Sequence, residues 1–357
     1  MSFGPQRQNP LGNRVQFPET PLLDPTDEKE LLMLNADLER IFNDSQAIQS
    51  LCEDYVVKGA TSENFSLTYP WDVTYRPADY SGRRQVPIND HALGQLCNRV
   101  GVPTSFVKKC IENEEYGLVH ENVNTWLDRF GRDLFIREHD NRIRGILSTR
   151  YSVLDTPDVL DVLFGSDLPL NDFKVKGYFQ SPERFHLRLI EDRPLLKKDD
   201  LFPGVQIDSS DVGRSTLRVQ FLIFKLVCTN GMVAATNDGI FFQQKHVGIT
   251  KDEFREGLST ALERYDEVRE KVIPVIKAAK NEAILDETDT EEDLLRTIQT
   301  YTKFGEEQAK ELLNVMEDRG YDSTKWGLAN TLTDWAQKYT LERRLDMERL
   351  AGRLIAA

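Results

Sequence analysis

Cysteine is sparse in this 357-residue chain, and its four copies, Cys52, Cys97, Cys110 and Cys228, form no CxxC pair. Each lies among apolar neighbours, so buried free thiols are expected rather than a disulfide framework. The five histidines (His91, His120, His139, His186, His246) are scattered, at none of the short spacings a zinc site needs. No apolar run approaches the roughly 20 residues that cross a bilayer. The opening Met1-Ser-Phe-Gly-Pro-Gln-Arg-Gln has no secretory apolar core, and a cytoplasmic protein without a membrane partner is expected. Also missing are a Walker loop, a GxGxxG after a strand, a GxSxG elbow and an HExxH helix. No catalytic set, cofactor or metal site is therefore expected.

What the chain does have is charge, unevenly spread. Its net charge is −14, which argues against a generic polyanion binder. Residues 1–80 carry 6 basic and 13 acidic side chains and residues 251–357 carry 17 and 24, whereas residues 81–250 carry 22 of each. The acidity belongs to the two ends.

The pattern along the chain divides it into four parts. Residues 1–25, with five prolines and no periodicity, read as a flexible arm. Residues 26–130 read as an α/β segment that begins with a helix whose stripe is Leu31, Leu34, Leu38, Phe42, Leu51 and Tyr55. Short strands follow at Phe65-Ser-Leu-Thr-Tyr and Trp71-Asp-Val-Thr-Tyr. Two short helices meet near Gly101, with the dimensions of a helix-turn-helix, although any packed helix pair needs such a turn. Residues 131–250 are rich in period-two segments: a hairpin through Asp140-Asn141, a short helix from Asp155, and strands at 174–180, 184–190 and 217–229. Turns are expected at Asn230-Gly231 and Asn237-Asp-Gly239. Residues 251–357 are helical and acidic, opening on the capping box Thr250-Lys-Asp-Glu253. Phe254, Leu258, Leu262, Tyr265, Val268 and Val272 make one stripe that Pro274 should kink or end. Further helices are expected near 290–301, 305–318, 324–339 and 341–356. In the third of these, Leu328, Leu332, Trp335 and Tyr339 form a core stripe. The fold class is α+β, with a mainly antiparallel central sheet, flanking helices and a helical C-terminal region.

Strand parity supplies the candidate site. Alternate residues share a face, which groups Arg137 with His139, Arg142 with Arg144 and Arg150, and Lys174 with Lys176 and Tyr178. It likewise groups Arg184 with His186 and Arg188, and Arg214 with Arg218. If these strands form one sheet, one face is apolar and the other is basic. With Lys245 at the end of the last strand, that face suits a phosphate backbone, with Tyr178 or His186 stacking on bases. The competing reading is that acidic loops or the acidic C-terminal helices pair with these cations internally.

Three blocks carry a resemblance: Leu93-Gly-Gln-Leu to Gly101-Val-Pro-Thr-Ser-Phe with Asn122-Val-Asn-Thr-Trp-Leu, then Val227-Cys-Thr-Asn-Gly-Met with Lys245-His-Val-Gly, and Trp326-Gly-Leu-Ala-Asn-Thr-Leu-Thr. On these the chain resembles a phage- and plasmid-related family of unassigned function, of the domain of unknown function 932 type. Membership implies a mobile-element protein in the bacterial cytoplasm, beside replication or recombination, and brings no catalytic set. The curved hairpin sheet is similar in architecture to phage single-strand annealing proteins, and fold alone does not fix function. The leading expectation is a non-enzymatic single-stranded nucleic-acid-binding protein, with self-association and annealing in view. A second is an acidic interaction protein that occupies a host DNA-associated factor. A third is a metal-dependent nuclease using Asp238 with Gln243-Gln-Lys245.

Overall fold

The computed structural model describes residues 34–68, 71–196, 200–225, 230–233, 240–285, 290–339 and 341–356. The expected N-terminal arm, the first turn of the first helix, the turn at 237–239, Cys228 and Asp238 lie outside them. The described chain is α+β: strands are antiparallel within each sheet and the C-terminal third is helical.

The expected single sheet is three. β1 (Cys52–Val57) pairs with β5 (Leu134–His139), and β5 with β6 (Arg142–Leu147). β2 (Phe65–Thr68), β3 (Asp72–Tyr75) and β4 (Arg84–Pro87) form a second sheet. The largest sheet holds β7 (Phe173–Gln180), β8 (Phe185–Glu191), β9 (Leu201–Ser209), β10 (Leu217–Lys225), β11 (Asn230–Val233) and β12 (Ile240–Gln244). Its order is β11-β10-β9-β8-β7, with β12 also on β10. The 134–147 hairpin thus belongs with the N-terminal elements, because β1 offers it a full six-residue register. That pairing also shortens the expected first helix. α1 (Leu34–Ser50) stops before Leu51, which is exposed, and Tyr55 sits on β1 instead of a helical stripe.

Asp140 and Asn141 both take left-handed φ values, 48° and 54°, as a two-residue turn between twisted strands requires. The other expected Asn-Gly turn is displaced: Lys225 already faces Asn230, so Asn230-Gly231 starts the return strand.

Among the helices, α2 (Asp90–Val100) is capped by Asn89 and ended by Gly101 at φ 85°. α3 (Thr104–Glu112) and α4 (Tyr116–Phe130) follow, and α5 (Thr156–Phe164) opens on an Asp155–Asp158 capping box. The expected long stripe after Thr250 is two helices, α6 (Lys251–Glu263) and α7 (Tyr265–Asn281). The break falls at Arg264, and Pro274 lies inside α7 without ending it. α8 (Glu291–Thr302), α9 (Glu306–Arg319), α10 (Lys325–Trp335) and α11 (Leu341–Ala356) lie close to the positions read from the sequence.

Two apolar clusters carry most of the burial. One joins β1 to β6 with α2–α4 through Leu67, Val73, Leu96, Val123, Ile136 and Ile143. The other packs α1, α5, α6, α7 and the later helices on one face of the six-stranded sheet, through Leu187, Val205, Ile207, Val219 and Phe221. The parity of these strands is as expected, with Phe185, Leu187 and Leu189 of β8 and Leu217, Val219, Phe221 and Ile223 of β10 in the apolar core. What lies over the opposite face decides the site.

Candidate functional site

The polar face of the six-stranded sheet is a packed interior. His186 faces Asp208, and Asp208 faces Arg218 across neighbouring strands; Arg188, Gln206 and Gln220 form the next row. α11 brings Glu348 and Arg349 onto these rows. Arg188, 1% exposed, donates through Nη1 to Glu348 Oε1 at 3.3 Å and through Nη2 to Glu348 Oε2, while its Nε reaches Gln206 Oε1 at 3.0 Å. Arg344 Nε donates to the same carboxylate at 3.0 Å. His186 Nδ1 lies 2.7 Å from Asp208 Oδ1, and Arg349 Nη2 reaches Asp208 Oδ2 at 3.3 Å. Burial holds the His186 imidazole below its ordinary pKa, which favours a neutral ring donating from Nδ1. Burial would raise Asp208, but His186 and Arg349 more than reverse it and keep the carboxyl well below the usual range.

A second buried centre joins the N-terminal sheet to the rest. Arg137 on β5 has no exposed surface. Its guanidinium donates to both oxygens of Asp54 (2.8 and 3.1 Å), to both oxygens of Asp155 (2.7 and 2.8 Å) and to the Asp211 carbonyl (2.6 Å). Asp54 lies on β1, Asp155 caps α5 and Asp211 follows β9, so one side chain ties three elements. Bidentate charge-assisted bonds of this kind are the strong ones. Tyr151 donates to the Asp211 carbonyl at 2.9 Å, and its ring stacks on His246 at 5.4 Å. Burial pushes Asp211 up to about 7, with the Asp155 charge adding to it. Burial also pushes His246 down to about 4.

Arg144 reaches this centre through a β-bulge. Gly145 faces Arg137 and Ile143 faces Glu138, so Arg144 is the extra residue of β6. A bulge re-aims a side chain. Here Ile143 packs in the N-terminal core while Arg144 turns to the other side. It donates through Nη1 to the Pro182 carbonyl and lies 3.7 Å from Asp211 Oδ2.

The thirteen expected contacts therefore divide. Arg137, Arg144, Arg188 and His186 are buried, and the expectation that they meet phosphate or stack on bases from an open face is corrected. A charge inside the protein needs a counter-charge: Arg137 found Asp54 and Asp155, Arg144 lies 3.7 Å from Asp211 and Arg188 found Glu348, while the neutral His186 bonds to Asp208. Lys174 pairs with Asp192, exposed Arg214 lies 3.4 Å from Glu183, and the half-buried Tyr178 hydroxyl accepts from Arg40 at 3.1 Å. Lys176 lies 6.0 Å from the Phe224 ring centre. Arg142, Arg150 and Lys245 are exposed, Arg184 and Arg218 half-buried, and none of these five makes an ion pair among the described residues. The antiparallel Tyr151–Val247 bridge sets Arg150 beside Gly248, with Lys245 on the other side of that bridge.

Sequence reasoning missed Asp54, Asp155 as a ligand of Arg137, Asp208, Asp211 and Glu348. β9 itself was unassigned, although Val205-Gln-Ile-Asp-Ser alternates, and Arg344/Glu348 are at i, i+4 spacing on α11. For the nuclease reading, Gln243 and Lys245 are exposed and Asp238 lies outside the described residues. Among those residues no cluster of three or more His, Cys, Asp or Glu could hold a metal ion. No described helix is long and apolar enough to cross a membrane.

Fold and site define an α+β protein whose sheets are locked to their neighbours by buried guanidinium–carboxylate centres. The chain belongs to the family described as a domain of unknown function (DUF932), whose model matches residues 144–354, more than half of its length. The matched span takes in Arg144, Arg188, Asp208, Asp211 and Glu348. No curated protein and no solved structure matches it.

Proposed function

We propose that this protein binds single-stranded nucleic acid through cations at the rim of its sheets, not through the covered sheet face. The observation that supports this reading is that Arg142, Arg150 and Lys245 stand exposed with no carboxylate paired to them among the described residues. In a chain of net charge −14, cations left unneutralised are those available to a phosphate backbone. Arg184 and Arg218, half-buried, extend the set. A mobile-element protein of the bacterial cytoplasm, accessory to annealing or recombination, is the setting that suits this activity.

Three phosphate contacts give an expected log–log salt slope of about −2 for a single strand. Fluorescence anisotropy with a labelled oligonucleotide should show that slope. Replacing Arg142, Arg150 and Lys245 together by alanine should remove most of it. Absence of binding at low ionic strength would end the proposal. A second reading, an acidic surface that occupies a host DNA-associated factor, is favoured by the exposed carboxylates Glu291, Glu292, Glu307, Glu317 and Asp318 on α8 and α9. Capture of one stoichiometric host DNA-associated factor, unchanged by nuclease, would select it over the first.

A further inference from the structure

The C-terminal end of α4 carries an aromatic surface that neither apolar cluster absorbs. Of the chain's four tryptophans, Trp71 and Trp335 are buried and Trp326 is half-buried, whereas Trp126 is 40% exposed. Trp126, Arg129 and Phe130 stand at i, i+3 and i+4, so they share one side of the helix. The Arg129 guanidinium lies over the Trp126 ring, 4.9 Å from its centre. Arg132, just past the helix end, lies over the half-buried Phe130 ring at 5.9 Å.

The acids closest in the chain are engaged with the β1–β2 turn. Asp128 accepts from the Ser62 N–H at 2.8 Å. Asp133 accepts from the Gly59 N–H at 3.0 Å and pairs with Lys58 at 2.7 Å. Arg129 and Arg132 are both exposed and make no ion pair among the described residues. The same turn fastens the helix end, because the Ala60 N–H donates to the Arg132 carbonyl at 2.9 Å. A surface held in this way loses little freedom when a ligand lands on it.

An exposed indole, a guanidinium plane stacked on it and unneutralised positive charge fit one class of partner in every respect. A nucleobase stacks on aromatic rings and on arginine planes, and its phosphate answers the charge. A purely apolar protein contact would use exposed Leu118, two turns earlier on α4, and would leave both arginines unanswered.

We infer that the C-terminal end of α4 is a base-stacking platform for single-stranded nucleic acid. Trp126 and the Arg129 plane receive one base, and Arg132 on Phe130 offers a second plane. The platform rests on the single-strand reading of the preceding section, but it uses none of the same residues. Arg132 lies before β5 and Arg142 beyond it, so the two sites are about 20 Å apart along that strand.

The test titrates the full chain with oligothymidylate at low ionic strength, read by tryptophan emission and by anisotropy of the labelled strand. Wild type should show saturable quenching, and an abasic strand of equal length should bind more weakly and quench little. Trp126→Ala should weaken oligothymidylate binding by about 5- to 150-fold, the range of one base–aromatic stack. Trp126→Phe should recover most of that loss, and Leu118→Ser should change nothing. Should Trp126→Ala not fold, Arg129→Gln at its exposed position takes its place and should weaken binding several-fold. Oligothymidylate bound without quenching, and equally well by the folded Trp126→Ala or Arg129→Gln variant, overturns the inference and leaves the rim reading standing. Binding that needs Trp126 but survives alanine at Arg142, Arg150 and Lys245 keeps the platform and overturns the rim reading. No binding at all removes both. Self-association lost in Trp126→Ala, with emission unmoved by oligothymidylate, assigns the surface to a protein contact and also overturns the inference.

Discussion

Removing the Glu348 carboxylate should unfasten α11 from the six-stranded sheet. Glu348 has no exposed surface and accepts from two buried arginines, Arg188 on β8 and Arg344 one helical turn away. In Glu348→Ala, Arg188 keeps only Gln206 Oε1, and two guanidinium charges are left in the interior without a carboxylate. Breaking a buried pair by deleting one partner costs about 3–5 kcal/mol, because the orphaned charge is not rehydrated. At about 2–4 °C per kcal/mol for a unit of this size, thermal unfolding should fall by roughly 6–20 °C. Desolvation and Coulomb attraction largely cancel in such triads, so removing all three charges should cost far less. The triple variant Arg188→Met/Arg344→Leu/Glu348→Leu should recover most of the loss. Calorimetry on the two variants separates the cases. A cost below about 1 kcal/mol for Glu348→Ala would refute the claim that this carboxylate is buried between the two arginines.

Asp211 is protonated more readily in the folded chain than in the unfolded one, where the carboxyl keeps its ordinary value of 3.8. The folded state therefore binds more protons between about pH 4 and 7, and the Asp211 contribution to stability is lost as pH rises through that window. Asp211→Asn should gain stability relative to wild type as pH rises from about 4 to 7, read as the variant's urea midpoint minus that of wild type; a value that falls with rising pH would contradict the assignment. In α10, the Gly327 N–H bonds to Thr324 Oγ1 at 3.0 Å, and a Cβ there would run into the Asp322 backbone carbonyl. Gly327→Ala gains about 1 kcal/mol of helix propensity but meets backbone that cannot yield, so a net loss of about 1–3 kcal/mol should appear in the urea midpoint.

What was legible in the sequence was local. The α8–α11 helices, the Thr250 capping box, the Asp140-Asn141 turn and the apolar parity of β8 and β10 all rest on contacts within one element or one hairpin. What was not legible needed partners distant in the chain. β1 is a strand because β5 lies beside it, and Leu51 and Tyr55 alone fit a helical stripe as well. The alternation of β8 and β10 was legible, but Glu348 lies 160 residues from Arg188, and no spacing rule links them. The bulge at Arg144 likewise shifts parity by one residue, which alternation cannot anticipate.

The partition of the arginines between interior and surface is what every functional statement above depends on. It is measured most directly by reacting the folded protein with phenylglyoxal and mapping the adducts by mass spectrometry, with and without urea. Arg142 and Arg150 should be modified in the folded protein, whereas Arg137 and Arg188 should react only once urea has unfolded it. Arg137 and Arg188 labelled as fast as Arg142 in the native state would contradict the account.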